Sequence, residues 1–509
     1  MYISITEKKC NDNFKGEPPT DFFLHTGYNR TAMHIFPRRV QIPDVLKKMH
    51  EIFSRAGFSS YLVGGAVRDM LMGKRAHDYD VATDAQPTDV MRLFHRVIPT
   101  GIEHGTVTVR LMGHSIEVTT FRTESAYTDG RHPDSVLYAA TIEDDLSRRD
   151  FTMNAIAVHL ADGKLIDPFD GAKDIRKKVI RAVGNPHERF CEDGLRPIRA
   201  IRFAAQLEFC IENHTYSDIF EEDTRTTVAK ISVERFRDEF IKILSARTPS
   251  RALKMLEETG IMSLFIPELL AGRNCIQSDG RGFHEFDVLD HLYYACDGAP
   301  KDNVTVRLAA LFHDIGKPAS RTVEKTARGE LYHFYGHDAL GADMTRAILT
   351  RLRFPTKTVD AVAHLVKEHM FHYEDSWSDA AVRRFIVRVG SECLDDLFDV
   401  RRADIYGMHR ASPRLHDTEI GKNLVALKTR IAAVQAQKTA LSIKDLAVNG
   451  TDLIAAGIPA GKELGHVLKE LFNTVLDAPA QNTREQLLAI AKNIYARLCS
   501  YDADGRVFF

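Results

Sequence analysis

Residues 61–84 read YLVGGAVRDMLMGKRAHDYDVATD, and this stretch decides the fold of the N-terminal part of the chain. The segment SSYLVGG predicts a short buried strand that ends in a glycine turn, and HDYDVAT predicts a second strand. Between the two strands, Gly64 and Gly65 open a helix that contains Arg68. A strand, a glycine turn, a helix and a strand bearing two carboxylates therefore follow one another within this stretch.

The two carboxylates of the second strand predict a metal site. Asp78 and Asp80 are two residues apart, so their side chains leave the same face of a strand. Carboxylates on one face repel each other unless a cation lies between them, and Mg²⁺ prefers such oxygen ligands. Glu117 lies in the predicted hairpin GTVTVRLMGHSIEVTTF, whose turn is expected around Gly113 and His114. It is the candidate third carboxylate, because its apolar chain neighbours are expected to face the core.

Gly64, Gly65 and Arg68 predict a binding site for a triphosphate. Glycine lets backbone N–H groups approach phosphate oxygens, the start of a helix favours negative charge, and a guanidinium can clamp phosphates. Taken singly, a Gly-Gly turn or an Asp-x-Asp pair is common without any catalytic role. The order strand, Gly-Gly, helix and Asp-x-Asp strand favours nucleotidyl transfer.

This stretch resembles the head of the DNA polymerase β-like nucleotidyltransferases. It is most similar to the class II tRNA nucleotidyltransferases (CCA-adding enzymes) and bacterial poly(A) polymerases. Four later segments resemble the remaining family motifs in order: LSRRDFTMNAIA, IDPFDGAKDI, CEDGLRPIRAIRFAAQLEF and ISVERFRDEFIKIL. The resemblance implies an enzyme that adds C, C and A to tRNA 3′ ends from CTP and ATP, with Mg²⁺ and without a nucleic-acid template.

The resemblance also assigns roles within the fourth motif. Asp193 and Arg196 would present an acceptor and donors to the base edges of incoming CTP or ATP. Arg199 and Arg202 follow at three-residue spacing, which places them on one side of a helix. They would support the triphosphate and the neighbouring template side chains.

The second motif and a polar loop give two further expectations. By the same resemblance, the ribose and phosphates would be contacted by Arg149, Asp150 and Asn154. The loop of residues 123–135 resembles a flexible segment that helps CCA-adding members switch from C to A, which favours a full CCA-adding enzyme. A poly(A) polymerase and enzymes that add only CC or only A remain the alternatives.

Histidines and aspartates in the second half of the chain predict another metal site. Two imidazoles and two carboxylates can hold one divalent ion, and the remaining imidazoles can hold a second. A lone histidine on an apolar helix face is more often an ordinary core residue, so the prediction depends on the complete order H…HD…H…H…D. The candidate ligands are His291, His313, Asp314, His337, His369 and Asp404.

This order resembles the HD phosphohydrolase superfamily, including its HDIG variant. Spacing does not decide between His364 and His369, and His369 is preferred because it follows an acidic residue. The resemblance implies a divalent transition metal and phosphatase or cyclic phosphodiesterase action on RNA ends. An alternative of another class is an HD phosphohydrolase whose head only binds nucleotides. A non-catalytic RNA-binding protein is disfavoured, since binding does not require Asp78 and Asp80 together.

Composition places few limits on partners. The 509-residue chain has a net charge of −2, so a nucleic-acid partner such as tRNA needs a local basic surface. Cysteines are scattered without a Cys-x-x-Cys pair, and no apolar run is long enough to span a bilayer. These features favour a cytoplasmic protein without a membrane partner.

The pattern of periodicity predicts an α+β fold with several domains. A small mixed-sheet nucleotidyltransferase head is followed by an all-helical neck, an HD domain and a C-terminal tail. The expected divisions are a tail compatible with disorder at 1–36, the head at 37–175 and a nucleotide- and RNA-binding neck at 176–265. The HD domain is expected at 266–410 and a tRNA-binding region at 411–509.

Overall fold

The computed structural model describes residues 39–76, 78–124, 136–277, 286–326, 329–409, 419–437 and 439–502. The predicted tail at 1–36 lies outside the described residues, as do residues 125–135 of the predicted switching loop. The chain divides into two compact units, residues 1–267 and 268–509, which we describe separately. The predicted domain boundaries within and between these units stay predictions.

A seven-stranded mixed sheet lies at the centre of the first unit. The strands of this unit are β1 (Ser60–Val63), β2 (Tyr79–Thr83), β3 (Val97–Gly101), β4 (Thr106–Leu111), β5 (His114–Thr120), β6 (Arg122–Glu124), β7 (Val136–Tyr138), β8 (Ala157–His159), β9 (Leu165–Ile166), β10 (Val179–Ile180) and β11 (Cys210–Ile211). The sheet order is β3-β4-β5-β2-β1-β8-β9, with β6–β7 and β10–β11 as separate pairs. Within the sheet, β2 and β5 are parallel, and the other neighbouring strands are antiparallel.

Helices flank this sheet, and most of the first unit after β9 is helical. They are α1 (Asp44–Arg55), α2 (Gly65–Leu71), α3 (Pro87–Leu93), α4 (Ile142–Ser147), α5 (Gly171–Lys177), α6 (Pro186–Glu192), α7 (Leu195–Leu207), α8 (Asn213–Ser217), α9 (Glu222–Ala229), α10 (Val233–Leu244), α11 (Pro249–Glu258) and α12 (Ile261–Phe265). Pro87 and Pro186 occupy the first position of their helices, where the missing N–H costs no intrahelical bond. Helix α2 lies between β1 and β2 along the chain, so the predicted strand–turn–helix–strand order around residues 61–84 is confirmed.

Two details of the head differ from the sequence predictions. Strand β2 begins at Tyr79, so Asp78 lies one residue before the strand and not within it. The β4–β5 turn consists of Met112 and Gly113, both with positive φ, whereas the sequence placed it at Gly113 and His114. Positive φ at both central residues matches the twist of a two-residue hairpin, which moves the turn one position earlier.

The second unit is mainly helical. Its helices are α13 (Val288–Gly298), α14 (Val304–Phe312), α15 (Lys317–Ser320), α16 (His337–Arg351), α17 (Thr356–Glu368), α18 (Asp379–Val389), α19 (Leu394–His409), α20 (Glu419–Ala436), α21 (Gly450–Ala455), α22 (Lys462–Asp477) and α23 (Arg484–Asp502). The α+β class is confirmed, but the region after the head is not purely helical. Thr322–Thr326 (β12) and Gly329–His333 (β13) form an antiparallel hairpin, because alternating Thr, Val and Tyr residues favour strands there.

Buried apolar side chains fix both units internally. In the head, Ile116 and Val118 of β5 are buried while Glu117 between them is exposed, as the alternation predicted. In the second unit, α22 and α23 bury Val467, Leu471 and Leu487 in one cluster. Within the described ranges, no helix is both long and apolar enough to cross a membrane.

Candidate functional site

The three predicted carboxylates of the head lie close together. Strands β2 and β5 are adjacent and parallel, and Asp80 is the direct register partner of Glu117. Neighbouring strands lie about 4.8 Å apart, so these two side chains share one face of the sheet. Asp78 precedes Asp80 by two residues and is exposed, as Glu117 is. The structure therefore places all three predicted carboxylates in one part of the sheet, although their oxygen atoms do not all lie within 4.8 Å of one another.

These carboxylates fit a divalent cation. Asp80 keeps solvent contact, yet desolvation of its carboxyl is the largest cause that raises its pKa above the ordinary value. Glu117 and Asp78 add repulsion that raises the pKa further, and Arg149 opposes them. Among the described residues, none of the three carboxylates forms an ion pair with a basic side chain. Oxygen donors that repel one another form the kind of donor set that Mg²⁺ prefers.

The glycine turn brings the backbone up to these carboxylates. Gly64 precedes α2 and has φ +71°, a conformation that favours glycine. A Cβ atom at Gly64 would lie 3.0 Å from Arg149 Nη1 and 3.7 Å from Asp80 Oδ2. Gly65 begins the helix, and the predicted Gly-Gly turn therefore lies directly beside the carboxylates.

Asn154 joins the predicted phosphate clamp to the second motif. Arg68 Nη1 donates to Asn154 Oδ1 at 2.9 Å, and Asn154 Nδ2 donates to Asp150 Oδ1 at 3.1 Å. Arg199 in α7 completes the series with Nε 2.8 Å from Asp150 Oδ2. Burial acts to raise the pKa of Asp150, but Arg199 and Asn154 outweigh it and hold the pKa at about 2. Asp150 is thus an ionised, buried support for Arg68 and Arg199.

Arg149 of the second motif and Arg202 of the fourth motif also have partners within the protein. Arg149 Nη2 donates to the buried Asp145 at 3.1 Å. Arg202 Nε lies 2.5 Å from Glu239 Oε2, and its guanidinium carbon stands 3.8 Å from the centre of the Phe203 ring. Burial lowers the pKa of Arg202 to about 10. Both arginines are anchored and ordered before any substrate is present.

The predicted base-selecting pair is not a mutual pair in this structure. Asp193 accepts from the Leu195 N–H at 3.0 Å and from Arg235 Nη2 at 2.9 Å. Arg196 is buried and ion-paired with Glu192, and it also donates to the carbonyls of Arg189 and Arg148. Base recognition by Arg196 stays a prediction, and these partners already hold its guanidinium in place.

The sequence analysis did not identify the ion-pair partners of the predicted site residues. Arg235 and Glu239 both come from α10, where the segment ISVERFRDEFIKIL was treated only as a motif. Their i, i+4 spacing places them on one side of that helix, facing Asp193 and Arg202, and could have indicated the ion pairs. Asp145 gives no comparable signal, because it lies in a segment where several acidic residues follow one another.

The second unit collects all six predicted HD ligands. His291 Nε2 lies 3.0 Å from His313 Nε2, 3.4 Å from Asp314 Oδ2 and 3.3 Å from Asp404 Oδ1. His337 Nε2 and His369 Nε2 lie 3.3 and 3.5 Å from Asp314 Oδ1. Two groups that could each hold an ion share Asp314: one with His291 and His313, the other with His337 and His369.

Hydrogen bonds orient the imidazoles for metal binding. The Nδ1 atoms of His313, His337 and His369 lie 2.6–2.8 Å from backbone carbonyl oxygens. A carbonyl can only accept, so each Nδ1 donates a proton and each Nε2 is left for the centre of the cluster. Burial acts to lower the pKa of His313, but Asp314 and Asp404 raise it to about 10. The two carboxylates therefore favour a positive charge at the centre of the cluster, either a proton on His313 or a divalent ion.

Two neighbours of the cluster explain its local geometry. A Cβ at Gly316 would lie 2.3 Å from the His337 carbonyl oxygen, so only glycine permits the approach of α16 to the His313-Asp314 turn. Lys317, which sequence reasoning missed, pairs with Asp314 at 2.5 Å and was detectable by its i+3 spacing.

The structure also decides between His364 and His369. His364 Nε2 lies 2.7 Å from the Val389 carbonyl oxygen, so His369 and not His364 belongs to the cluster.

Comparisons with known proteins agree with this architecture. Residues 60–181 match the family model "Poly A polymerase head domain", 208–272 match "Probable RNA and SrmB- binding site of polymerase A", and 281–408 match "HD domain". The CCA-adding enzyme of Lactobacillus johnsonii is 48% identical over 43% of this chain and 53% of its own length. That of Lactobacillus helveticus is 32% identical over 88% of this chain and 97% of its own length.

A solved structure gives the same result. The CCA-adding enzyme of Bacillus stearothermophilus in complex with CTP is 28% identical, with a TM-score of 0.66, over 90% of this chain and 98% of that one. The fold and the two sites define a nucleotidyltransferase head followed by an HD domain with a metal site. The chain is an enzyme, and it belongs to the family of CCA-adding enzymes.

Proposed function

We propose that this chain adds C, C and A to tRNA 3′ ends from CTP and ATP in the cytoplasm, without a nucleic-acid template. The observation that supports this most directly is the register pairing of Asp80 with Glu117, beside Gly64, in a chain of this family. The terminal 3′-hydroxyl oxygen forms a bond to the α-phosphorus of the nucleotide. The bond between that phosphorus and the bridging oxygen to the β-phosphate breaks, and pyrophosphate leaves.

The side chains of the head divide this work. Asp78, Asp80 and Glu117 would hold Mg²⁺, which when bound activates the attacking hydroxyl and neutralises charge on the leaving pyrophosphate. Gly64 and Gly65 leave room for a triphosphate, and Arg68 offers its guanidinium to it. The Arg68–Asn154–Asp150–Arg199 series keeps that guanidinium in place, so little ordering is needed when the nucleotide binds.

A primer-extension assay tests the transferase. Purified chain, Mg²⁺ and tRNA transcripts that end before CCA, after C or after CC are mixed with each labelled NTP, alone and in pairs. Stepwise addition of C, C and A followed by a stop supports the proposal. A halt after CC, addition of A alone or an unlimited A tail assigns the chain to the corresponding alternative. Absence of any addition to any RNA contradicts the transferase role.

Asp193 is proposed to select the base together with Arg196. Replacement by Asn keeps the acceptor of the Leu195 N–H but removes the charge that pairs with Arg235. We expect the preference for CTP and ATP over UTP to fall about ten- to hundredfold, the cost of one unsatisfied polar group. Single-turnover addition of each NTP measures this preference. A uniform loss of rate with unchanged preference would show that Asp193 only positions α7.

For the HD domain, we propose a divalent transition metal and phosphohydrolase action on RNA ends. The observation that favours this second activity is the convergence of four imidazoles and two carboxylates within one buried cluster. When bound, the metal supplies a Lewis acid for a phosphate oxygen and lowers the pKa of a bound water. Lys317 balances the charge of Asp314 and keeps its carboxylate between the two imidazole pairs.

Asp314→Asn should lower metal affinity by at least about a hundredfold, because Asp314 belongs to both candidate ion groups. Metal content by inductively coupled plasma spectrometry, after dialysis against a weak chelator, measures the effect with Mn²⁺, Ni²⁺, Co²⁺ or Zn²⁺ supplied. His364→Gln is the matched control, since His364 lies outside the cluster. Addition of nucleotides to tRNA by the head should not change. Equal metal content in wild type and Asp314→Asn would contradict the assignment.

A further inference from the structure

An exposed aromatic residue stands at the edge of the HD cluster. Strand β13 ends at His333, and α16 begins at His337, whose Nδ1 donates to the Phe334 carbonyl at 2.6 Å. The Phe334 ring lies 5.6 Å from Lys317 Nζ, on the side of the cluster. Tyr335 follows, and it is 78% exposed. Two residues span at most about 7 Å, so the Cα atom of Tyr335 lies within that distance of the Cα atom of His337, a candidate metal ligand.

The Tyr335 ring is held in place before any ligand binds. It stacks on the His333 imidazole, with ring centres 5.5 Å apart and planes inclined by 13°. His333 is fixed in turn, because its Nε2 lies 2.8 Å from Glu324 Oε2 across the hairpin. Most of the tyrosine surface remains in contact with solvent. A rigid, stacked and exposed ring can accept a further flat ring at low entropic cost.

Two more exposed apolar side chains accompany the same imidazoles. Leu340 is 37% exposed and lies three residues after His337, which places both on one side of α16. Met370 is 56% exposed and directly follows His369. A single exposed apolar side chain is ordinary on a protein surface. Tyr335, Leu340 and Met370 are thus three exposed apolar side chains close in sequence to two buried ligand candidates.

We propose that Tyr335 is the base-stacking residue of the HD site, so that its substrates are phosphate esters bearing a nucleobase. This inference rests on the phosphohydrolase function proposed above. The phosphate binds at the cluster, the ribose spans the distance to the hairpin, and the base stacks on Tyr335. Stacking on an aromatic ring tolerates every base, which suits RNA ends of different sequence and also free nucleotides.

The first test compares substrates that differ only in the base. Hydrolysis of AMP and of ribose 5-phosphate is measured with the full chain loaded with Mn²⁺, for wild type, Tyr335→Ala and Tyr335→Phe. We expect Tyr335→Ala to raise KM for AMP about tenfold, which corresponds to ~1.4 kcal/mol of stacking. Its KM for ribose 5-phosphate should not change, and Tyr335→Phe should behave as wild type. Val323→Ala, an exposed apolar change on the same hairpin, is the control.

An RNA substrate distinguishes RNA ends from free nucleotides, since both carry a phosphate ester and a nucleobase. A short oligonucleotide with a 3′-phosphate is compared with AMP under identical conditions. If Tyr335→Ala raises KM for both, the site takes any nucleotide; if for the oligonucleotide alone, it takes RNA ends. An equal effect on ribose 5-phosphate, or no effect on any substrate with a base, overturns the proposal.

A second readout does not depend on turnover. Fluorescence of 1,N6-ethenoadenosine monophosphate is quenched when its base stacks on an aromatic ring. Quenching by the head site is common to wild type and both variants, so the difference between their curves measures the HD site. We expect saturable quenching with wild type and Tyr335→Phe, and an approximately tenfold weaker curve with Tyr335→Ala. Quenching without hydrolysis would contradict the hydrolase and support the stacking role. Identical curves for all three proteins would overturn the stacking role itself.

Discussion

Asp80→Asn is expected to lower the rate of nucleotide addition on the order of a thousandfold while the protein stays folded. The asparagine keeps the shape of the side chain but removes one of the charges that would hold Mg²⁺ beside Glu117. Single-turnover addition of CTP to tRNA that lacks CCA measures the rate. Asp89→Asn in α3 is the control, because Asp89 pairs only loosely with Arg92, at 3.6 Å.

Stability of the same variant gives an independent check. The pKa of Asp80 is raised in the folded chain by desolvation and by Glu117 and Asp78. A carboxyl group whose folded pKa is raised costs stability once pH rises above its unfolded value. Without Mg²⁺ at pH 7, Asp80→Asn should therefore melt at or above the temperature of wild type. A lower melting temperature together with lost activity would indicate a structural role for Asp80 and not a metal-binding one.

Asp150→Ala is expected to destabilise the first unit by about 3 kcal/mol, because it leaves Arg199 without its buried partner. This value lies at the low end for a broken buried pair, since a third of the Arg199 side chain reaches solvent. Urea unfolding at pH 7 measures the change. Asp170→Asn, which breaks an exposed pair with Lys173, should cost no more than about 0.5 kcal/mol.

The pH dependence of the Asp150 contribution has a definite sign. Its pKa is lowered in the folded chain to about 2, so its contribution is present above the unfolded value of 3.8. It is lost as pH falls from about 4 to about 2, and amounts to about 2 kcal/mol. The difference in unfolding free energy between wild type and Asp150→Asn should shrink through this window. A difference that stays constant down to pH 2 would show that folding does not lower the pKa of Asp150.

The same Asp150 connects stability to catalysis. It holds Arg199 in α7 and, through Asn154, the Arg68 guanidinium. Gly64 lies between Arg149 and the Asp80 carboxylate. The second motif therefore forms the physical link between the carboxylates and the helix that carries the proposed base-selecting residues.

The elements around both sites and their candidate residues could be predicted from the sequence. Periodicity and glycine placement sufficed for β1, α2 and β2, because these are local preferences of the chain. Alternation in β5 predicted that Glu117 faces away from the core. The order of histidines and aspartates predicted the HD cluster, since each ligand lies in a recognisable local motif.

Long-range packing determines which candidates meet and which partners hold them. The choice of His369 over His364 depends on how α17 is rotated against its neighbours, and that rotation depends on long-range packing. The pairing of Asp193 with Arg235 depends on the approach of α10 to α7. The exposure of the Tyr335 ring and its stacking on His333 depend on the β12–β13 hairpin, in which Glu324 holds His333. Contacts between residues far apart in sequence leave no periodic signal, because they result from the sum of many packing interactions.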